Sequence, residues 1–403
     1  MASKLKIPGP EAEHDFADLA IVGVTALALA FTTLFLCVMP LANFAGGRDF
    51  VVYWATGQQL VHHASPYDPE EMARTELAAG FPPQAGVLYM RNPPWDLPLA
   101  LPLGFIGVQA GALLWSLVLL ACLLLSVRIL WRMHGSSRSC LHWLGVSFAP
   151  ALLCLLMGQT SLFALLGYVL FLDLHRRRPF LAGASLWLCA LKPQLFLPFG
   201  VVLLAWILFS RTYKLLAGLA VALAASCAAA FCIAPAAWRD YARMMRTAGI
   251  ENAHIPCLSV ALRFWLSPQT AWLTYLPAAL ACVWALSCYW PRRHAWDWMK
   301  DGSVVMLVSL VTAPYSWVYD DCLAIPALLE GAYSTRSRIL LAVLPFGSVV
   351  MSAELLFGIK IPTSYFLWTS PVWLAWYLAA TRIMGMKAVV AHNGSAEIPD
   401  PLS

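Results

Sequence analysis

Four short polar stretches interrupt a mostly apolar chain, and each carries residues able to do chemistry. "GGRDFVVYW" (46–54) places the Asp49 carboxylate beside Arg48, with Tyr53 and Trp54 close behind. "LLMGQTS" (155–161) ends an apolar run in Gln159 and Thr160, and "CALKPQLF" (189–196) ends another in Lys192 and Gln194. "VTAPYSWVYDD" (311–321) ends a third in Tyr319, Asp320 and Asp321. A carboxylate at a partly desolvated surface has its pKa raised toward working pH and becomes a candidate general base. An ammonium group beside it can neutralise a departing anion. A charge inside the apolar core costs about 2.5–3.5 kcal/mol even on insertion scales, so such residues face a watery cavity or one another and mark a functional path. The alternative for Lys192 is that it snorkels to the interface. For Asp49 it is a structural pair with Arg48.

These stretches need elements to hold them, and composition says which. The 403 residues are 61% hydrophobic and only 12% charged, with a mean hydropathy of +0.70. That is the balance of an integral membrane protein, and too little charge to cover a soluble one. The 18 tryptophans suit interface belts. The net charge of +5 says little about partners, and nothing points to nucleic acid. Eleven cysteines occur without a CxxC pair, most of them inside apolar runs, so neither a zinc site nor a disulfide framework is indicated.

Apolar runs cover Leu19–Ala42, Val108–Trp131, Leu141–Met157, Leu162–Leu174, Phe180–Leu191, Leu195–Phe209 and Leu215–Ala234. Ala271–Trp290, Ser303–Ala313, Cys322–Leu329, Ile339–Phe357 and Phe366–Thr381 complete twelve candidate spans. Several are shorter than the ~20 residues that a perpendicular helix needs, so they must tilt, break or end in a cavity. The polar residues 1–18 and the length of the first run speak for an uncleaved span with an inside amino terminus, not a signal peptide. The expectation is an all-α membrane domain over 19–384, with cytoplasmic tails at 1–18 and 385–403. Lys and Arg then gather in alternate loops (Arg176–Arg178, Arg292 with Arg293, Arg336 with Arg338), which places those loops inside.

The polar stops at Asp49, Gln159, Lys192 and Asp320 all fall on the outer side. So do two long segments, 43–107 and 236–267, the second carrying Arg239, Arg243 and Arg246 at helical spacing. Loops of such length are usually functional when ordered. The short basic inner loops contain no nucleotide-binding loop, so the chemistry is expected at the outer face.

In this order, "GRDFVVYW-TGQQL", "SPYD", "Y-RNPPW", "MGQTS", "RPFLAGASLWLCALKPQLFLP" and "APYSWVYDD" resemble glycosyltransferase family 87, the polyprenol-phosphate-mannose-dependent mannosyltransferases. The resemblance spans roughly 46–330. It implies a GT-C fold of many membrane helices, with amphipathic juxtamembrane helices in a large first outer loop. It also implies a catalytic base in that loop, and Asp49 is the matching residue. The implied reaction moves a sugar, mannose by resemblance alone, from a polyprenyl-phosphate donor to a hydroxyl of a glycolipid or cell-envelope glycan, with inversion. The implied location is the bacterial inner membrane, multi-pass, with the active site extracytoplasmic.

Lys192, Arg91 and Arg263 are the candidates for the leaving phosphate. Tyr53, Gln159, Gln194, His254, Tyr319 and Asp320 are the candidates for substrate contacts. Asp68 reads as a turn residue. No cofactor and no metal is expected, His62 and His63 being poorly placed for one. The chain departs from the pattern of several family members, which carry Ser-Trp-x-His-His where this one reads Ser316-Trp317-Val318-Tyr319-Asp320-Asp321. Either Tyr319 and Asp320 take over acceptor contacts or the acceptor differs. A secondary transporter or lipid flippase is the rival reading, since broken helices with ionisable residues also describe transporters. The absence of paired halves in the sequence argues against it.

Overall fold

The computed structural model describes residues 49–83, 86–137, 139–247, 255–356 and 363–393, together with positions 22, 23, 26, 27 and 30. Residues 1–18, most of the Leu19–Ala42 run, Arg48 with its expected pairing to Asp49, His254 and residues 394–403 lie outside the described residues. Among those described the protein is all-helical. Its α-helices of seven residues or more are α1 Phe50–Val61, α2 Pro69–Ala78, α3 Val108–Met133, α4 Ala149–Met157, α5 Ser161–Leu174, α6 Pro179–Ser185, α7 Leu197–Ser210 and α8 Tyr213–Ile233. They continue as α9 Ala237–Thr247, α10 Leu258–Leu266, α11 Leu276–Arg292, α12 Asp301–Thr312, α13 Ile325–Ser334, α14 Arg338–Leu356 and α15 Thr369–Asn393.

Five helical stretches are long and apolar enough to cross a bilayer: Val108–Met133, Cys140–Met157, Pro193–Ser210, Tyr213–Ile233 and Ala271–Arg292. The chain is thus read as a membrane protein, but the expected count of twelve spans is not reached among the described residues. Ser161–Leu174, Pro179–Leu191 and Asp301–Thr312 are apolar but shorter. The Cys322–Leu329 run is not one helix either. Its start belongs to a 3-10 turn over Val318–Ala324, and α13 continues from Ile325.

The short elements stop at polar residues, and those stops converge. The end of α4 delivers Gln159, the start of α5 delivers Ser161, the break between two 3-10 turns delivers Lys192, and the Val318–Ala324 turn delivers Tyr319 and Asp320. An apolar run that a sequence reads as a membrane span can equally be half a span that ends against a polar cavity.

The first outer segment supplies the opposite side. α1 lies against the 3-10 turn Leu101–Phe105 so closely that a side chain at Gly57 would have its Cβ 2.6 Å from Gly104 N, and only glycines permit this approach. Gln58 Nε2 donates to Gly104 O at 2.9 Å and Trp54 Nε1 donates to Ile106 O at 2.9 Å, which fixes the rotation of α1. Asp68 caps α2, its Oδ1 accepting from Glu70 N–H at 2.9 Å, so it is a local capping residue. α9 is strongly amphipathic: Trp238 packs beside Trp95 and Tyr241 beside Tyr67, while Arg239, Arg243 and Arg246 stay exposed on the other face.

Candidate active site

Asp49 stands immediately before α1, yet its side chain makes no capping bond to that helix. It turns instead to Gln159, whose Nε2 donates to Asp49 Oδ2 at 2.7 Å. The "MGQ" triplet explains the reach. Gly158 ends α4 in the left-handed region, at φ 75°, which L side chains adopt only at a cost. A Cβ there would lie 2.7 Å from Phe50 Cβ. Glycine therefore turns the chain and also lets α1 press against the turn. Trp115 locks the arrangement, its Nε1 donating to Gly158 O at 2.7 Å while its ring stacks on Tyr53 with centroids 5.3 Å apart.

From Gln159 the network runs inward. Gln159 Oε1 accepts from Tyr53 OH at 3.2 Å and from Lys192 Nζ at 3.1 Å. Lys192 Nζ also donates to Ser161 Oγ at 2.9 Å and to Asp320 Oδ1 at 2.8 Å, so its three N–H groups all have acceptors. Ser161 donates its hydroxyl to the same Asp320 oxygen, and Trp317 N–H donates to Asp320 Oδ2 at 2.8 Å. The ammonium lies 4.8 Å from the centre of the Tyr319 ring. Lys192 is 8% exposed and Asp320 1%, so the ammonium forms part of the floor of the site and the carboxylate lies beneath it.

A cavity of about 610 Å³ opens above this floor, lined by Asp49, Tyr53, Gln159, Lys192, Gln194 and Tyr319, with Arg91 and Asn92 on its other wall. Tyr315 and Trp317 complete its aromatic side, Trp317 Nε1 donating to Tyr315 OH at 2.7 Å. The Arg91 guanidinium lies 5.7 Å from the Tyr89 ring centre and 5.8 Å from that of Tyr315.

Seven expected site residues thus share one cavity: Asp49, Tyr53, Gln159, Lys192, Gln194, Arg91 and Tyr319. Asp320 lies just beneath it as the partner of Lys192. Arg263 is not on the cavity wall; its Nε donates to Pro268 O at 2.9 Å and its guanidinium lies over Phe264. His62 and His63 are exposed and do not line this cavity. Among the described residues no trio of His, Cys, Asp or Glu is placed to hold a metal ion.

The segment Asn92–Asp96 also belongs to the site. Asn92 lines the cavity, its amide donates to the buried Asp96, and its backbone carbonyl accepts from Tyr67 OH at 3.0 Å. The available signal was an amide four residues before a carboxylate in a loop carrying two prolines.

Burial pushes the Asp49 carboxyl above the usual carboxylate range, outweighing the Gln159 hydrogen bond and the Lys192 charge that act the other way. Asp96 is pushed up to about 7 by burial, against the Asn92 hydrogen bond. A carboxylate whose proton affinity rises toward neutrality, opening on a cavity that holds a fixed cation, is equipped to take a proton from a bound hydroxyl.

The helix ends of this all-helical membrane protein thus converge on one polar cavity. Residues 89–314 match the model of glycosyltransferase family 87, and the chain belongs to that family of glycosyltransferases. No curated protein and no solved structure matches it.

Proposed function

We propose that this glycosyltransferase transfers a sugar from a polyprenyl phosphate to a hydroxyl of a lipid-linked or envelope glycan, with inversion and with Asp49 as general base. The observation that carries the reading is the joint presence of Asp49, Arg91 and Lys192 on one cavity wall system. Asp49 takes the proton of the acceptor hydroxyl, whose oxygen forms the new bond to the anomeric carbon. The bond from that carbon to the phosphate oxygen breaks, and its electron pair leaves on the polyprenyl phosphate. Direct displacement by one base leaves no covalent intermediate, hence inversion.

Arg91 presents the planar fork that suits a phosphate. Lys192 adds positive charge from below; since its three N–H groups already have acceptors, a phosphate contact requires it to release one of them. Tyr53, Gln194 and Tyr319 offer the polar and aromatic contacts that hold a sugar. Mannose rests on the family resemblance, and arabinose or another lipid-linked sugar fits the same residues. The distribution of Lys and Arg supports an extracytoplasmic site, and the family resemblance supports a bacterial inner membrane. Incubating purified protein with labelled polyprenyl-phosphate sugars and a membrane lipid extract tests the reading. A labelled glycolipid or glycan is expected. Transport of labelled solute by proteoliposomes without any sugar transfer would replace it with the transporter reading.

A further inference from the structure

Lys192 carries only donors, and a carboxylate at Asp49 carries only acceptors. Gln159 bridges them, and this fixes which end of its amide points where. The end that faces the ammonium and the Tyr53 hydroxyl must be the oxygen, so the NH₂ must face Asp49. The distances agree: Lys192 Nζ to Gln159 Oε1 is 3.1 Å, and Gln159 Nε2 to Asp49 Oδ2 is 2.7 Å. Gln159 cannot flip without setting its NH₂ against an ammonium and its oxygen against a carboxylate. The ammonium is itself held by Asp320 and Ser161.

We infer that Gln159 is a positioning residue that acts through Asp49, and that the Asp320–Lys192–Gln159 chain orients the base so that its second oxygen faces the cavity. The inference deepens the proposed transfer reaction and rests on Asp49 being its base. It departs from the expectation that Gln159 is a substrate contact. One Asp49 oxygen is engaged by Gln159, and a fixed amide leaves the carboxylate one preferred orientation for proton abstraction. A 1 Å misplacement at a reacting group costs about 10²-fold, so a device that fixes a carboxylate contributes to rate without touching substrate. Lys192, Asp320, Tyr53 and Tyr319 are the titratable groups that act on Asp49 here.

The test compares wild type with Gln159→Glu, Gln159→Met and Asp49→Asn. Each is size-matched, purified in detergent and checked by melting temperature. kcat, the donor KM and the pH dependence of kcat/KM are measured for each with a labelled polyprenyl-phosphate sugar. Gln159→Glu keeps an oxygen for Lys192 but sets a carboxylate against Asp49, and it is expected to lower kcat at least tenfold and to move the acid limb upward by one pH unit or more. Gln159→Met removes the donor and is expected to lower kcat about as much. In both, the donor KM should stay within threefold, which a substrate contact would not allow. A folded Gln159 variant with wild-type kcat and an unmoved acid limb overturns the inference, as does a loss confined to KM. Asp49→Asn separates the two levels. If it still transfers sugar, the base assignment fails; if it is inactive while the Gln159 variants are normal, only the positioning role fails. Should Gln159→Glu not fold, Gln159→Met decides alone.

Discussion

Asp49 and Asp320 sit at opposite ends of one hydrogen-bonded chain and end in opposite circumstances. Asp320 is 1% exposed and receives Lys192, Ser161 and the Trp317 N–H, so its charge is matched and its lone pairs are occupied. Asp49 is half-buried on the cavity wall, where Gln159 donates to one of its oxygens. Gln159 also links it to Lys192, accepting from the ammonium through Oε1. A carboxylate in direct contact with an ammonium is an anchor. A carboxylate one amide away has a proton affinity raised by burial and stays available to a substrate. The pair teaches that the candidate base is marked by its place on the cavity, with an amide set between it and the Lys192 ammonium, as much as by its acidity.

The sharpest way to break this comparison is to remove the shared cation. Lys192→Met leaves Asp320 buried without its partner, and unpairing one half of a buried ion pair costs about 3–5 kcal/mol. The expected outcome is a large fall in melting temperature together with loss of transfer. Lys192→Met combined with Asp320→Leu should recover much of the stability but not the transfer. Recovery of both in the double variant would show that the chain beneath Asp49 is only structural.

Gly158→Ala perturbs the Asp49 end alone. The left-handed backbone costs an L residue roughly 1–2 kcal/mol, and the new Cβ would press on Phe50, the residue after Asp49. Transfer should fall about tenfold or more through the displaced carboxylate, with a smaller change in melting temperature than Lys192→Met gives. Thermal unfolding and initial rates on the same preparation check both parts.

The pH dependence follows from the sign of the Asp49 shift. A base must be ionised, and burial raises its pKa, so activity should be lost as pH falls while ordinary exposed carboxylates are still charged. The acid limb of kcat/KM is expected above the usual carboxylate value of about 4. A limb at or below that value would mean that the group in control is not a desolvated carboxylate.

Asp96 gives the smallest effect and the opposite link to stability. Its folded pKa of about 7 exceeds the unfolded one, so its contribution is fully present below the unfolded pKa of about 4 and is lost as pH rises through about 7. Asp96→Asn retains an acceptor for Asn92 and should flatten the fall in melting temperature over that window. An unchanged slope would assign the dependence to other groups.

Asp49, Gln159, Lys192 and Asp320 were legible in the sequence because each polar residue ends an apolar run, and the membrane makes such a placement costly. Gly158 was legible as part of the same stop. What could not be read is pairing across the chain. Lys192 and Asp320 lie 128 residues apart, and no local pattern says that the ammonium spends its donors on that carboxylate rather than on a ligand. Arg263 has the same charge and the same expected side as Arg91, yet its guanidinium is turned to Pro268 O. Nothing in the local pattern marks Trp115 out from the other tryptophans, though it braces Tyr53 and Gly158. The count of twelve spans is not reached among the described residues for a related reason: periodicity measures how apolar a run is, not whether it stops halfway against a cavity.

The central claim is that Asp49 is the base, and Asp49→Asn tests it most directly, because asparagine keeps the size but cannot take the proton. The measurement is single-turnover transfer from a labelled polyprenyl-phosphate sugar by detergent-purified Asp49→Asn protein whose melting temperature matches wild type. General-base catalysis contributes about 10²–10⁴ in rate, so transfer should slow by that factor while donor binding persists. Near-normal transfer by the folded variant would remove Asp49 from the mechanism and contradict the account.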